Sequence, residues 1–532
     1  MAIFSRIFNR KRFPVVKSYP SRGSFFRHWL YRNKQSYAAA STKTRELAQW
    51  TPVIQTADEH LLPEREAIIA RSQSLCRNGT YGEAAVRQYC KYVVGSGIKF
   101  HPTISAKELG ISPQAATDLS AELKDRFESW ASEKSADATR TFNFYSAQEA
   151  VLRGMLVDGD IFATLRLKRN KSGLINDLCF NLIDGILIRN PHDTYYLYHY
   201  PIYNRDLNLY YSEYEGREIK SGIEVKEDNE PVAVWILSKD QSVRRVPVWG
   251  DISGRQNVLR VATIKSPNQT RGLPFLHNVV KTIRHTEQYD DYELTAAMGA
   301  AMVVGILQSD DNNVFGDDAG LGASRQGDPK RDFNLQPNAI LNIKNDEQFR
   351  LENPTRPNSN YPDYVTSQIR KFAMGIGMPP EVLKGEYLAS YTASQGSKLD
   401  FRYSVNPLQE RIVEDFCYPI YKNWLTTEVL FNDLKLPGYL QSDKLRHYYA
   451  RGTWLPSDFG HIDPLKTLKA SREAIEMGLS TRSQEARRYN NTDFQKNIDT
   501  LLAEEEALSS VIEVRNKNLI DKSVMPTEGQ SV

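Results

Sequence analysis

Cysteine is scarce in this sequence. Only Cys76, Cys90, Cys179 and Cys417 occur in 532 residues, far apart. None forms a CxxC, which excludes a zinc ribbon and a disulfide framework. The nine histidines include no HExxH pair. Gly95-Ser96-Gly97 lacks the spacing of a nucleophile elbow. Gly396-Ser397-Lys398 has no glycine-rich approach of the kind that cradles phosphates. Asp310-Asp311-Asn312-Asn313-Val314-Phe315-Gly316 hints at a calcium loop, but its third ligand and terminal Glu are wrong. Asp158-Gly159-Asp160 reads as a turn rather than a carboxylate pair. No catalytic residue, metal site or cofactor is therefore expected.

An excess of one charge is missing too. The chain has 68 basic and 65 acidic residues, a net +3. That balance excludes gripping nucleic acid by bulk charge, because phosphate neutralisation needs clustered Lys and Arg. Long hydrophobic runs are absent. The longest, late in the stretch 266–308, is roughly fourteen residues, short of the ~20 that span a bilayer, so no membrane partner is expected. The opening MAIFSRIFNRKRFP is basic without an apolar centre, unlike a secretory signal. Residues 1–35 read as an exposed basic and aromatic arm.

What is present is a chain organised around residues 266–308. A loop ending in Gln269-Thr270-Arg271-Gly272 leads to Pro274, which suits a first helical turn. Leu276, Val279, Val280 and Ile283 then fall at helical spacing. A helix over 274–307 would be roughly 50 Å long at 1.5 Å per residue. Its first half is charged and its second half small and apolar. Gly299, Ala300 and Gly305 are candidates for close packing against another helix, within the chain or across to a second copy; an ordinary buried core helix has the same pattern.

Before this element the sequence predicts helices at 64–78, 81–95, 114–133 and 146–158, with a strand at 98–101. The third carries Leu119, Leu123, Phe127 and Trp130 on one face. From 160 to 265 the pattern turns to strands, rich in β-branched and aromatic residues between Gly, Asn, Asp and Pro turns. Eight tyrosines between Tyr195 and Tyr214 fit a half-buried sheet, or a platform on which bases stack. After the long helix, 309–338 reads as a mobile loop, and 339–343 and 347–351 as a hairpin about Lys344-Asn345-Asp346. A helix at 362–377, a loop at 381–392, and a long helix at 393–430 kinked near Pro407 and Pro419 come next. Residues 464–516 read as helical. The class is α+β, in more than one folding unit.

Four blocks, in order, resemble the lambda family of tailed-phage portal proteins. They are RSQSLCRNGTYGEAAVRQYCKYVVGSGIKFHP, the turn Gln269-Thr270-Arg271-Gly272, GIGMPPEVLKGEYLASYTASQGSKLDFRYS, and WLPSDFGHIDPLKTLKASREAIEMGLSTRSQEARRYNNTDFQK. One departure is Tyr489-Asn490-Asn491, where relatives often carry Gly-Asp. The resemblance implies a portal-type fold: a mixed α/β wing, a two-helix stem, a small β-hairpin clip and a helical C-terminal crown. It puts the arm and wing at 1–273, stem helices at 274–308 and 360–378, the clip at 309–359, tunnel loop and wing helix at 379–430, and C-terminal wing and crown at 431–532. It also implies a homo-oligomeric ring of about twelve subunits at a capsid vertex of the virion, assembled in the host cytoplasm. Double-stranded DNA would pass through it in packaging and ejection. The terminase large subunit, the major capsid protein or scaffold, and a head–tail adaptor would be its partners. Near the tunnel loop, Lys384, Tyr387, Tyr391, Lys398 and Arg402 are the candidate DNA contacts, though the same residues suit a solvated or intersubunit face. Two alternatives fit less well. A virion-associated nucleic-acid-processing enzyme needs a nucleotide or metal motif, and a head–tail adaptor ring is usually a much shorter chain.

Overall fold

A computed structural model describes residues 48–169, 175–191, 211–240, 242–302, 306–309, 347–350, 360–387, 391–456, 464–490 and most of 492–509. The expected basic arm at 1–35, the tyrosines from Tyr195 to Tyr210 and the residues 339–346 lie outside them. The chain divides into two units, 1–56 and 57–532. In the first, Trp50, Val53 and Ile54 are exposed. The second holds the sheets and the helical core.

After a short helix at Ala57–Leu61, its main elements in chain order are α1 (Arg65–Asn78), α2 (Thr80–Val93), β1 (Lys99–Pro102), α3 (Pro113–Ser132) and α4 (Phe144–Asp158). Strands β2 (Asp160–Arg169), β3 (Ile175–Asp184), β4 (Tyr211–Tyr214), β5 (Arg217–Lys220), β6 (Ile223–Val225), β7 (Pro231–Leu237), β8 (Val243–Pro247) and β9 (Val258–Ala262) come after them. Then come α5 (Val280–Met302), β10 (Ile306–Ser309), β11 (Glu347–Arg350), α6 (Tyr361–Ile376), α7 (Pro380–Lys384), α8 (Tyr391–Ile412) and α9 (Tyr418–Phe431). The last are α10 (Asp443–Tyr449), β12 (Gly452–Leu455), α11 (Pro464–Glu476) and α12 (Arg482–Asn490).

Local chemistry explains many boundaries. The Ser112 side chain accepts from the Ala115 amide and Pro113 opens α3. Asn143 and Ser146 cap α4 reciprocally. On α3, Leu123, Phe127 and Trp130 are buried. Phe127 sits at the centre of an aromatic cluster, 5.0 Å from both Tyr421 and Trp424 of α9 and 5.5 Å from Phe144 of α4. The main core joins α1 to α4, the inner sheet, the base of α5, and α6 to α9. Strands β3-β2-β9 form one antiparallel sheet and β4 to β8 an antiparallel meander. A second core, with Phe162, Ile183, Ile223, Val234 and Val258, lies where the two sheets meet.

Several expectations need correction. The long helix does not run from 274 to 307. A 3-10 turn at Phe275–Asn278 precedes α5, and Ile306–Ser309 is a strand. That strand pairs antiparallel with β11, Ile306 opposite Arg350. The sequence pattern places 347–351 as a strand, as the structure has it at Glu347–Arg350; its expected partner at 339–343 lies outside the described residues, and the pairing with β10 is not evident in the sequence because partners distant in the chain leave no local period. The segment 381–392 is not wholly loop: Pro380–Lys384 forms α7, which buries Val382 and Leu383. Residues 393–430 run helically through both prolines. The irregularity is a π-helical turn at Val413–Cys417. Pro419 has no N–H for the Asp415 carbonyl, and its ring would press on it. The wider turn, with the Tyr418 amide reaching back to Val413, relieves that clash. The short strands β5, β6 and β8 and the pairing of β12 with β1 are not evident from the sequence pattern.

The turn before α5 is fixed by buried charge. Asp160, fully buried at the start of β2, takes Arg271 Nε on Oδ2 at 2.8 Å and Arg271 Nη2 on Oδ1 at 2.9 Å. Arg65 Nη2 reaches Oδ1 at 2.7 Å and the Gly272 amide reaches Oδ2 at 2.9 Å. Arg271 also donates to the carbonyls of Gly185, Ile188 and Ser221. Burial alone would raise the Asp160 carboxyl, but Arg271 and Arg65 hold it well below the usual carboxylate range. Burial and the neighbouring Arg271 pull Arg65 down to about 9, still cationic at neutral pH. Backbones touch here: a Cβ on Gly272 would overlap the Gly159 carbonyl, so only glycine fits. Asp158-Gly159-Asp160 is indeed a turn, with Gly159 at φ 89°, but Asp160 is also the counter-ion of two elements far away in sequence. Asp160→Ala leaves two buried guanidinium groups without a counter-charge and should destabilise the fold by ~3–5 kcal/mol. A thermal melt checks this; an unchanged melting temperature would refute it.

Candidate functional site

Helices α5 and α6 meet through tyrosines. Tyr289 of α5 stacks on Tyr361 at 5.8 Å between ring centroids and lies 4.7 Å from Tyr364. Asp290 accepts the Tyr361 hydroxyl on Oδ1 and the Tyr81 hydroxyl on Oδ2, each at 2.9 Å. One carboxylate thus joins α5 to α6 and to α2. Burial, and then the hydrogen bond to Asp290, pushes the Tyr81 phenol above its ordinary value, so it stays a donor at neutral pH. Glu287, one turn earlier, packs against Gly79 between α1 and α2, where a Cβ would collide with its carboxylate. Burial raises the Glu287 carboxyl. This joint was not found from the sequence. Its only local signal is the charged first half of α5, which reads equally well as a solvated face.

The sequence-derived contact residues lie around α7 and α8. Gly377, at φ 69°, ends α6, and Gly385, at φ 72°, ends α7. Lys384 closes α7 and pairs with Glu386 at 3.6 Å. Tyr387 hydrogen-bonds Tyr92 of α2, and Lys398 Nζ lies 5.4 Å from the centre of the Tyr387 ring. Arg402 is exposed on α8, four residues after Lys398 and on the same side of the helix. The structure therefore brings Tyr387 and Lys398 together, while Lys384 has a separate partner. Tyr391 opens α8, but its side chain is not among those described. Gly299 and Ala300 lie in the last part of α5, whose surroundings are likewise not described, and Gly305 is outside the described residues. A contact like that of Lys398 on Tyr387 contributes about 0.5–1 kcal/mol when exposed, which suits a brace or a weak touch on a polyanion rather than tight binding.

Among the described residues, no group of three or more His, Cys, Asp or Glu is placed to hold a metal ion. No described helix is long and apolar enough to cross a membrane. None of the four cysteines is in a disulfide, and all are buried. Burial raises Cys417 well above the usual thiol value and raises Cys76 to about 11, which makes them inert thiols.

Comparison with known proteins gives the class first: the similar curated proteins are portal proteins of phages. The chain belongs to the lambda family of phage portal proteins, whose family model matches residues 43–409. It is 20% identical over 478 residues to portal protein B of Escherichia phage lambda, covering 85% of each chain. It is 22% identical to a probable portal protein of Halomonas phage phiHAP-1, over 79% of this chain and 76% of that one. The portal protein of Escherichia phage N15 is 19% identical, over 85% and 86%. Among solved structures, the neck of a native gene transfer agent particle is similar at a TM-score of 0.43 and 11% identity, covering 78% of this chain and 91% of that one. An HK97 family phage portal protein from Corynebacterium diphtheriae gives 0.26 at 12% identity, over 72% and 100%. Scores this low reflect a loose geometric likeness and bear on no residue.

The three-helix joint can be tested directly. Asp290→Ala removes the acceptor of two tyrosine hydroxyls and should cost ~1–3 kcal/mol, with faster hydrogen exchange at the start of α6. Tyr81→Phe removes one of the two bonds and should cost less. Equal exchange in all three proteins would show that the joint contributes nothing.

Proposed function

We propose that this phage portal protein acts as a ring of about twelve copies at a capsid vertex, conducting double-stranded DNA during packaging and ejection. In this reading α5 and α6 are the stem, 309–359 the clip, 1–273 the arm and wing, and 431–532 the C-terminal wing and crown. The clip docks the terminase large subunit and later a head–tail adaptor, and the wing meets the capsid protein or scaffold. Assembly takes place in the host cytoplasm. The observation that carries the reading is the match of residues 43–409 to the portal family. The joining of α5 and α6 at Tyr289 and Asp290, on either side of the paired β10 and β11, supports it. So does the near-neutral net charge of +3, since DNA that must slide cannot be held by many phosphate contacts. The protein works without chemistry of its own; an ATPase motor would be a separate chain.

Lys384, Tyr387, Tyr391, Lys398 and Arg402 form the DNA-facing surface in this proposal. Each contact is weak, and the ring repeats it. Arg402 and Lys384 are the two to test, because Lys398 also holds Tyr387 in place. The variant Lys384→Ala with Arg402→Ala is expected to form rings and procapsids as the parent does, but to package less DNA or lose it on storage. Packaged DNA length and retention measure this. Normal packaging would remove these residues from the DNA path. A native mass near that of a monomer for the parent, or ATP hydrolysis by the isolated protein, would overturn the ring reading itself.

A further inference from the structure

The C-terminal hairpin of α11 and α12 exposes an unusual amount of apolar surface. Leu465 is 73% exposed, Met477 72% and Leu479 78%. Beyond α12, Leu501 and Leu502 in the helical run 500–506 are 57% and 59% exposed. The hairpin is nonetheless built. Glu485 of α12 accepts the hydroxyls of Ser471 and Ser480 at 2.6 Å each, which ties α12 to α11. Between the helices lies a cleft of about 450 Å³ with Leu468, Ile475 and Ala486 as its apolar lining, and Arg472, Arg482, Glu476 and Glu485 among its polar residues; Arg472 pairs with Glu476 at 2.7 Å, an exposed contact worth little. A protein rarely leaves apolar residues in this number uncovered unless another surface meets them.

Charge indicates what covers them. Residues 464–490 hold six basic and three acidic residues. Residues 491–509 hold one basic and five acidic residues, including the consecutive Glu504, Glu505 and Glu506. The two neighbouring segments are thus opposite in sign, and each carries exposed leucines. Leu501 and Glu505 are four residues apart on one helical face, as are Leu502 and Glu506. The face that offers leucine and carboxylate together meets a cleft with an apolar floor, where Arg482 and Arg472 can receive carboxylates, Glu485 is taken up by Ser471 and Ser480, and only the weak exposed pair of Arg472 with Glu476 has to give way.

We infer that residues 500–506 of one copy seat in the α11–α12 cleft of the next copy, leucines on the cleft floor and Glu504–Glu506 against Arg472 and Arg482. The contact is heterologous, one surface against a different surface, and repetition of such a contact closes into a ring when the rotation allows. The inference rests on the ring reading above and supplies an interface specific to this chain. Opposite charges set the head-to-tail order, and the leucines contribute most of the affinity.

Two charge-reversed full-length variants test it. One is Arg472→Glu with Arg482→Glu; the other is Glu504→Lys, Glu505→Lys and Glu506→Lys. All five positions are exposed, so folding should survive, and circular dichroism checks it. Native mass spectrometry at low salt is expected to find the parent oligomeric and each variant alone shifted to smaller species. Mixed in equal amounts, the variants should assemble again in a one-to-one ratio, because each then meets a neighbour of opposite sign at both faces. A third variant, Leu501→Asp with Leu502→Asp, should lose assembly and not be rescued by mixing. If the parent assembles and the reversed variants do so equally well, the interface is elsewhere. If mixing fails while a single chain carrying both reversals assembles, the segments pair within one chain and the inference is wrong. If the parent never assembles, the ring reading fails first.

Discussion

Asp160 is the point on which the rest of the second unit depends. Its carboxylate is the shared counter-ion of Arg65 at the start of α1 and Arg271 in the turn before α5, three segments separated by 95 and 111 residues. A carboxylate this deeply buried is unfavourable alone, and so is each guanidinium. Together, with the Gly272 amide and three backbone carbonyls, they leave little polar capacity unmet. Such a cluster adds little net stability over an apolar core, but it permits very few alternatives. Only one path of the 269–272 turn brings Arg271 to Asp160 and lets Gly272 touch Gly159. That path sets where the chain leaves the sheets and starts towards α5. Asp58 reinforces it by accepting both the amide and the hydroxyl of Thr270, at 2.8 and 2.6 Å.

Much of this architecture was legible in the sequence where its cause is local. Helices α1 to α4 and α6 follow from apolar spacing and from capping residues such as Ser112 and Asn143, and the structure agrees within a few residues. Family resemblance was legible for a different reason: the Gln-Thr-Arg-Gly turn is a compact signature of the charge cluster, even though its partner Asp160 looked like an ordinary turn residue. What was not legible arises from partners distant in the chain. Ile306–Ser309 continues an apolar run that suits a helix equally well, and it is a strand because Glu347–Arg350 is there to pair with it. Pro407 and Pro419 suggest two kinks, yet one π-helical turn accommodates the chain between them. Helix α7 is five residues long, too short for any period, and exists because Val382 and Leu383 find the core.

The candidate site was legible in part and for similar reasons. Basic and aromatic side chains from the end of α7 onward stand out against a near-neutral chain, so Lys384, Tyr387, Lys398 and Arg402 are easy to notice. Their pairings are not. Tyr387 is committed to Tyr92 and Lys398, which makes it part of the attachment of this segment to α2 and α8 as much as a free ligand group. Asp290 was invisible as anything more than one charge in a charged half-helix. Only the arrival of Tyr81 from α2 and Tyr361 from α6 turns it into a joint. The joint also means that a displacement of α5 cannot stay local: the shared carboxylate would have to give up one tyrosine or carry both helices with it.

A physical contrast runs through the molecule. Its centre is densely satisfied, with Phe127, Phe144, Tyr421 and Trp424 packed ring against ring. Its extremities are not. Strands β10 and β11 pair with each other, outside both hydrophobic cores among the described residues, and the α11–α12 hairpin leaves its leucines exposed. A free monomer has no reason to keep such surfaces, since each costs ordering entropy with little burial in return. In the ring proposed above such surfaces would recur at every junction, where weak contacts add up through repetition. The near-zero net charge then has a second meaning. It hides segregated regions, basic at 464–490 and acidic at 491–509, which nearly cancel each other in the total. Composition alone hides this, because opposite segments and evenly mixed charges give the same count. Their order along the chain separates the two cases.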